Sequence, residues 1–150
     1  MSPHTPLRPA TEEKPLSIPE GIQLAEYGEN DFYKAHSDNS IADEETGVRR
    51  SFRSHTCILY CNEGWKAEDG GALRLYLDSQ HYLLADDAKA SCNYVDINPQ
   101  NERLLIFDST LVHSVEKVTH PAKLRRALTL WIERPNDSGV QGETFDGGAS

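Results

Sequence analysis

Polar and apolar residues alternate along most of the middle of the chain. Over residues 54–62, Thr56, Ile58 and Tyr60 fall on one side and Cys57, Leu59 and Cys61 on the other, the period of two that marks a strand. Gly70-Gly71 precedes a second run, 72–77, in which Leu73, Leu75 and Leu77 share a face. Shorter strands are expected over 22–27 and over 94–97, the latter running into the turn Asn98-Pro99-Gln100-Asn101. Residues 103–107 form a continuous apolar run of the buried-strand type, 112–118 alternates, and 125–132 is the last strand. A 3.6-residue repeat is convincing nowhere between them. Many short strands separated by turn residues predict an all-β domain with few short helices: a sandwich, barrel or jelly roll.

The flanks differ from this core. Residues 1–20 hold Pro3, Pro6, Pro9, Pro15 and Pro19, which forbids a helix and suits an extended tail. Residues 136–150 are rich in Gly, Ser, Asp and Asn and read as a second tail. One domain over 21–135 is thus expected, and it is large enough to bury a core without a staple. The three cysteines, Cys57, Cys61 and Cys92, lack Cys-x-x-Cys spacing, which argues against a zinc ribbon or disulfide scaffold and for reduced thiols. The net charge of −9 argues against nucleic acid as a general partner. The short basic run Arg49, Arg50, Arg53 reads as a solvated loop. No apolar run approaches the length of a membrane span and no signal peptide opens the chain, so a cytoplasmic or nuclear protein without a membrane partner is expected.

Chemistry enters with His36-Ser37-Asp38. In a strand, residues i and i+2 point the same way and can meet one metal, although chance alone would supply one such spacing. His113 adds weight: the apolar run ends at Phe107-Asp108-Ser109-Thr110, and a histidine opens the next strand. Two histidines and a carboxylate occupy one face of an octahedral metal and leave three positions open, which suits iron(II) binding a chelating co-substrate and oxygen. A structural zinc would want four protein ligands. In the last strand, Arg125, Ala127, Thr129 and Trp131 share one face. An inward arginine needs an anion, and a dicarboxylate supplies one with bidentate geometry. Alternation alone leaves open whether Arg125 or Arg126 faces in.

Taken together, the ordered set resembles the prolyl-4-hydroxylase-like branch of the iron(II)/2-oxoglutarate dioxygenases, which includes the oxygen-sensing prolyl hydroxylases. The resemblance spans roughly 22–133. It runs through Tyr27, Tyr33-Lys-Ala-His36-Ser-Asp38, Thr56-Cys-Ile-Leu-Tyr60-Cys-Asn62 with Trp65, and Gly70-Gly71-Ala-Leu73-Arg74-Leu75. It continues through Asp96-Ile-Asn-Pro99, Arg103-Leu-Leu-Ile-Phe107-Asp-Ser109, His113-Ser-Val115 and Arg125-Arg-Ala-Leu-Thr129-Leu-Trp131. It implies a double-stranded β-helix, or jelly roll. It also implies iron(II) on His36, Asp38 and His113, and 2-oxoglutarate on Arg125 with Tyr60 as a hydrogen-bonding neighbour. Leu73, Val115 and Thr129 would line that pocket, with Trp131 nearby, and Tyr27 and Tyr33 would flank the approach to the metal. The implied reaction takes oxygen, with L-ascorbate as reductant, decarboxylates 2-oxoglutarate to succinate and hydroxylates an unactivated C–H bond, for which a peptidyl proline is the expected substrate. His4, His55, His81 and His120 fall outside the pattern and read as surface residues.

In one respect the chain departs from that family, whose members carry helices ahead of the first ligand strand where this one has a proline-rich tail. Leu128, Leu130 and Ile132 on the outward face of the last strand want cover; a missing N-terminal segment or a second copy of the chain would supply it. The polar loop 39–53 is a candidate lid. Alternatives to a protein substrate are a small molecule or a free amino acid. Alternatives to the enzyme class are a non-catalytic jelly-roll binding module and a zinc hydrolase.

Overall fold

A computed structural model of the protein describes residues 16–17, 21–39, 53–78 and 92–134. These form eight strands: β1 Gln23–Tyr27, β2 Tyr33–His36, β3 Arg53–Tyr60, β4 Leu73–Tyr76, β5 Tyr94–Ile97, β6 Leu104–Asp108, β7 His113–Val115 and β8 Arg125–Glu133, with one 3-10 turn at Ala67–Asp69. Two four-stranded antiparallel sheets result, in the orders β1-β8-β3-β6 and β2-β7-β4-β5. The first strand pairs with the eighth, the second with the seventh, the third with the sixth and the fourth with the fifth. This nested pairing is a jelly roll, as expected. Among the described residues no helix is long and apolar enough to cross a membrane.

The core lies between the sheets. Ile58 and Tyr60 from β3, Leu73 and Leu75 from β4, Phe107 from β6 and Ala127 from β8 pack together, so the alternating residues read as one face do point inward. Loop backbone is tied by side chains where the sheets close. Buried Asn62 donates to the carbonyls of Pro99 (2.8 Å) and Arg126 (3.0 Å) and accepts from Arg126 N–H (2.6 Å). That uses both donors of the amide and one of its oxygen's two lone pairs beside two strand ends. Ser17 bridges to Glu133 at the end of β8; the other residues of the expected tails, apart from Leu16, lie outside the described segments, as does most of loop 39–53.

Several strand expectations are corrected. The run 103–107 is not buried: among the described strands β6 lies at the edge of its sheet, with Leu104 60% and Ile106 54% exposed while Phe107 faces the core. Leu77 follows the end of β4 and is exposed. Only His113–Val115 of 112–118 is a strand, with Val118 bridging to Gly70 instead. β2, which the alternation did not single out, ends at His36, so Asp38 lies in a bend beyond it. Arg53 opens β3 and stacks on Trp131 rather than sitting in a solvated run. The outer face of the larger sheet carries an apolar row across all four strands. Leu24 opposes Leu128, Leu128 opposes Leu59, and Leu59 opposes Leu104, and Leu24 is 58% exposed. Leu128, Leu130 and Ile132 are half-buried on that face.

The Gly70-Gly71 pair is a backbone requirement. Gly70 has φ 74 and ψ −154, a region essentially closed to side chains, and a Cβ there would sit 2.3 Å from the Lys117 carbonyl oxygen. Gly70→Ala is expected to cost at least ~2 kcal/mol. Gly64→Ala, at φ +62 with nothing within 4 Å of its Cβ, should cost only about 1 kcal/mol. Thermal and urea denaturation of the two variants measure the difference.

Candidate active site

Register brings the metal-ligating candidates together. β2 pairs with β7 so that His36 and His113 stand directly opposite, with ring centroids 4.3 Å apart. Asp38, just past the end of β2, turns back between them: Oδ1 lies 3.4 Å from His36 Nε2 and Oδ2 3.6 Å from His113 Nε2. One ligand atom from each of the three falls within 4.8 Å of the others, the only such cluster of three among the described residues. Both imidazoles are anchored alike. His36 Nδ1 is 3.0 Å from the Lys34 carbonyl and His113 Nδ1 is 3.0 Å from the Leu111 carbonyl. A carbonyl only accepts, so Nδ1 carries a hydrogen in each ring, and Nε2, which faces Asp38, is the nitrogen that frees a lone pair when its ring is neutral. This is the tautomer a metal needs at Nε2.

Charge at the cluster is set by competing effects. Burial would raise the Asp38 carboxyl, but hydrogen bonding with His36, the neighbouring His113, and donors from Trp131 and Thr56 outweigh it and hold the group far below the usual carboxylate range. Burial favours neutral His36, yet its contact with Asp38 raises its pKa above the ordinary 6.5. His113, more deeply buried and repelled by His36, is lowered. Asp38 is therefore ionised, and the two imidazoles take up protons at different pH.

Another wall of the same pocket holds Arg125, which is 2% exposed. Its Nε donates to the Gly71 carbonyl at 2.6 Å, and it pairs with no carboxylate among the described residues. Tyr27 and Tyr60 present their rings, each centroid 5.2 Å from the guanidinium carbon. Burial depresses the arginine and raises both tyrosines. The Tyr60 hydroxyl is buried without a hydrogen-bond partner. An uncompensated guanidinium beside an orphaned hydroxyl is costly unless an anion that also accepts hydrogen bonds completes the site. The intervening walls are Ile58, Leu73, Val115, Ala127 and Thr129, and the whole encloses about 390 Å³, within the range of small-ligand sites. A cation site at one end and an anion site at another, joined by a mostly apolar wall, fit iron(II) and a dicarboxylate respectively.

Of the residues singled out in the sequence, His36, Asp38, His113, Arg125, Leu73, Val115, Thr129, Trp131, Tyr27 and Tyr33 all line this pocket. Tyr33 sits edge-on to His36 at 4.6 Å, whereas Tyr27 stands over Arg125. Tyr60 packs against the guanidinium and is not itself among the residues lining the open cavity. His55 and His120 are half-buried and away from it; Cys57, Cys61 and Cys92 are free thiols. Sequence reasoning missed Gly71, whose carbonyl seats Arg125, and Thr56, which reaches Asp38. A Gly-Gly pair ahead of a strand signals close backbone approach, and Thr56 was on the inward face already read from alternation.

The family model for the 2OG-Fe(II) oxygenase superfamily matches residues 22–133. Among solved structures, a prolyl-4-hydroxylase from Pseudomonas putida is 29% identical, with a TM-score of 0.55 over 76% of this chain and 52% of that one. A prolyl hydroxylase from Trichoplax adhaerens, in complex with a hypoxia inducible factor oxygen degradation domain peptide fragment, is 28% identical. Its TM-score is 0.56 over 78% of this chain and 46% of that one. A structure of prolyl 4-hydroxylases from Phytophthora capsici is 25% identical, with a TM-score of 0.55 over 78% and 35%. The chain thus spans about half or less of the length of these relatives. Its fold, its two-histidine-one-carboxylate cluster and the family match over most of its length agree: the chain belongs to the 2OG-Fe(II) oxygenase superfamily.

Proposed function

We propose that this protein hydroxylates an unactivated C–H bond in a reaction that uses iron(II), oxygen and 2-oxoglutarate, and that its substrate is a peptidyl proline. The observation that carries the reading is one pocket holding both the His36, Asp38, His113 cluster and a buried Arg125 that has no carboxylate partner among the described residues. Similarity to prolyl hydroxylases, one of them in complex with a peptide, supports a proline in a peptide as the substrate.

In this reading His36 and His113 hold the metal through Nε2 and Asp38 through its carboxylate. Bound there, iron(II) would let oxygen oxidise 2-oxoglutarate to succinate and carbon dioxide and the substrate C–H to C–OH, one oxygen atom going to each product, with ascorbate serving only to return oxidised iron to iron(II). Arg125 binds the distal carboxylate of 2-oxoglutarate; with Nε held by Gly71, its two terminal nitrogens remain to form a bidentate pair. The Tyr60 hydroxyl is a neighbouring donor. Ile58, Leu73 and Val115 cover the methylene carbons and exclude water, which strengthens the carboxylate–guanidinium attraction. Tyr33, exposed at the mouth beside His36, stands where a peptide approaches.

Anaerobic titration with iron(II) and 2-oxoglutarate, followed through the visible charge-transfer band of the chelate, is expected to saturate. Arg125→Ala should weaken 2-oxoglutarate at least ~30-fold and leave iron affinity near wild type, and Arg125→Lys should recover only part of the loss. Absence of the band in folded, iron-loaded protein would sink the dioxygenase reading. Succinate release stimulated by proline-containing peptides, and lost when proline is replaced by alanine, would test the substrate.

Gly71→Ala should act through the same arginine. Its φ is +68, and a Cβ would lie 2.9 Å from Arg125 Cδ, so 2-oxoglutarate affinity should fall more than iron affinity in that titration. Metal binding should also depend on pH. His36 keeps its proton to a pH above 6.5, and a metal must displace it. Apparent Co(II) affinity should therefore fall as pH drops through that region, by about tenfold per unit once His36 is protonated. It should fall more steeply where His113, whose pKa is lowered, also binds a proton. Affinity that does not change between pH 8 and pH 5 would contradict imidazole ligation.

A further inference from the structure

Asp38 has two oxygens, and the surrounding protein treats them differently. Oδ2 accepts hydrogen bonds from the Thr56 hydroxyl at 2.7 Å and from the Trp131 indole N–H at 2.9 Å. Thr56 and Trp131 are directly opposed in the β3–β8 register, so one cross-strand pair on the inward face delivers both donors. Thr56 is 1% exposed, and its oxygen also lies 2.9 Å from Ser109 Oγ. A hydroxyl has a single hydrogen. With that of Thr56 committed to an ionised carboxylate, Ser109 must donate to Thr56, giving a directed chain from Ser109 through Thr56 to Asp38. Arg53 stacks on the Trp131 ring, its guanidinium carbon 3.7 Å from the centroid. The stacking and the β3–β8 register together hold the indole with its N–H on Oδ2.

We propose that Thr56 and Trp131 are positioning residues that decide how Asp38 meets the metal. This rests on the reading of His36, Asp38 and His113 as the ligand set. A carboxylate oxygen carries two lone-pair directions in its plane, and on Oδ2 both are filled. Oδ2 also lies 3.6 Å from His113 Nε2, but its two directions are taken by the two donors; Oδ1, which faces His36 Nε2 at 3.4 Å, is the oxygen left open. Asp38 thus binds through one atom and takes one coordination position. With two imidazoles this occupies three positions of an octahedron and leaves three, which a two-atom chelator and a third small ligand require. A carboxylate released from Thr56 and Trp131 swings to a two-oxygen mode and closes one of those positions. The pair therefore protects an open site while drawing no metal itself.

Co(II) titration of the full chain, read through visible absorption, tests this. Thr56→Val keeps shape and removes the hydroxyl, Trp131→Phe removes the N–H, and Thr56→Ser keeps the donor. Wild type should bind Co(II), and His113→Ala should abolish that binding. Thr56→Val and Trp131→Phe should each lose about 10- to 100-fold in affinity and alter the shape and intensity of the cobalt bands, while Thr56→Ser retains affinity and spectrum. Wild-type affinity and bands in Thr56→Val and Trp131→Phe, with folding verified by circular dichroism, would overturn the proposal. So would an equal loss in Thr56→Ser and Thr56→Val with the wild-type spectrum kept, since that is a packing effect. Failure of wild type itself to bind Co(II) through His113 would sink the ligand assignment, and the proposal with it, and is distinguished because every variant would then match wild type.

Discussion

The pairing of β3 with β8 is the constraint on which the rest of the pocket depends. Side chains alternate with a period of two, so a slip of one residue would turn every inward group outward. In the observed register Thr56 faces Trp131, Ile58 faces Thr129 and Tyr60 faces Ala127, and the same alternation carries Arg125 into the interior. A slip would exchange Arg125, Ala127, Thr129 and Trp131 for Arg126, Leu128, Leu130 and Ile132. The exchange would improve hydrophobic burial on β8 itself. It is opposed by the Asn62 clamp on Arg126 at one end and by the contacts of Trp131 with Asp38 and Arg53 at the other. The strand keeps its more polar face inward because its polar groups find partners there, and it leaves an apolar face outside.

Polarity within the pocket follows from that choice. An ionised carboxylate and two imidazole Nε2 atoms converge at one end, and a guanidinium without a carboxylate partner among the described residues sits in another wall. The two charges of opposite sign are kept from neutralising each other by the apolar wall of Ile58, Leu73 and Val115, and each is left to seek a counter-charge from outside the chain. Such a layout selects for a cation and an anion bound together, and disfavours either alone, since each lowers the cost of burying the other.

Much of this was legible in the residues. Alternation over 54–62 identified the inward set Thr56, Ile58 and Tyr60, and the limits of β5 agree with the expectation. The ordered motifs, through their resemblance to the iron(II)/2-oxoglutarate dioxygenases, pointed to His36, Asp38, His113 and Arg125 before the pocket's geometry was known. What failed did so for physical reasons. An apolar run such as Leu104-Leu105-Ile106-Phe107 reads alike whether its strand is central or lies at an edge beneath an apolar outer face, because composition does not record which neighbour is missing. Alternation could not choose between Arg125 and Arg126, since it fixes relative and not absolute orientation. The bond from Trp131 to Asp38 joins β8 of one sheet to the bend that follows β2 of the other, and nothing local in either segment encodes it.

Nested pairing also bears on how the chain reaches this state. Four of the pairings between the first and second halves of the chain are nested, from β4–β5 outward to β1–β8, and β3–β8 and β4–β7 join neighbouring shells into the two sheets. Loop closure costs chain entropy that rises only slowly with length, by about 0.6 kcal/mol per doubling, and each inner pairing shortens the effective loop that the next must close. The economical order of assembly therefore runs outward from the β4–β5 hairpin, through β3–β6 and β2–β7, to β1–β8. His36 and His113 meet at the third of these nested closures and Tyr27 reaches Arg125 at the fourth, so both ends of the pocket are assembled late, on strands that the inner hairpins have already aligned.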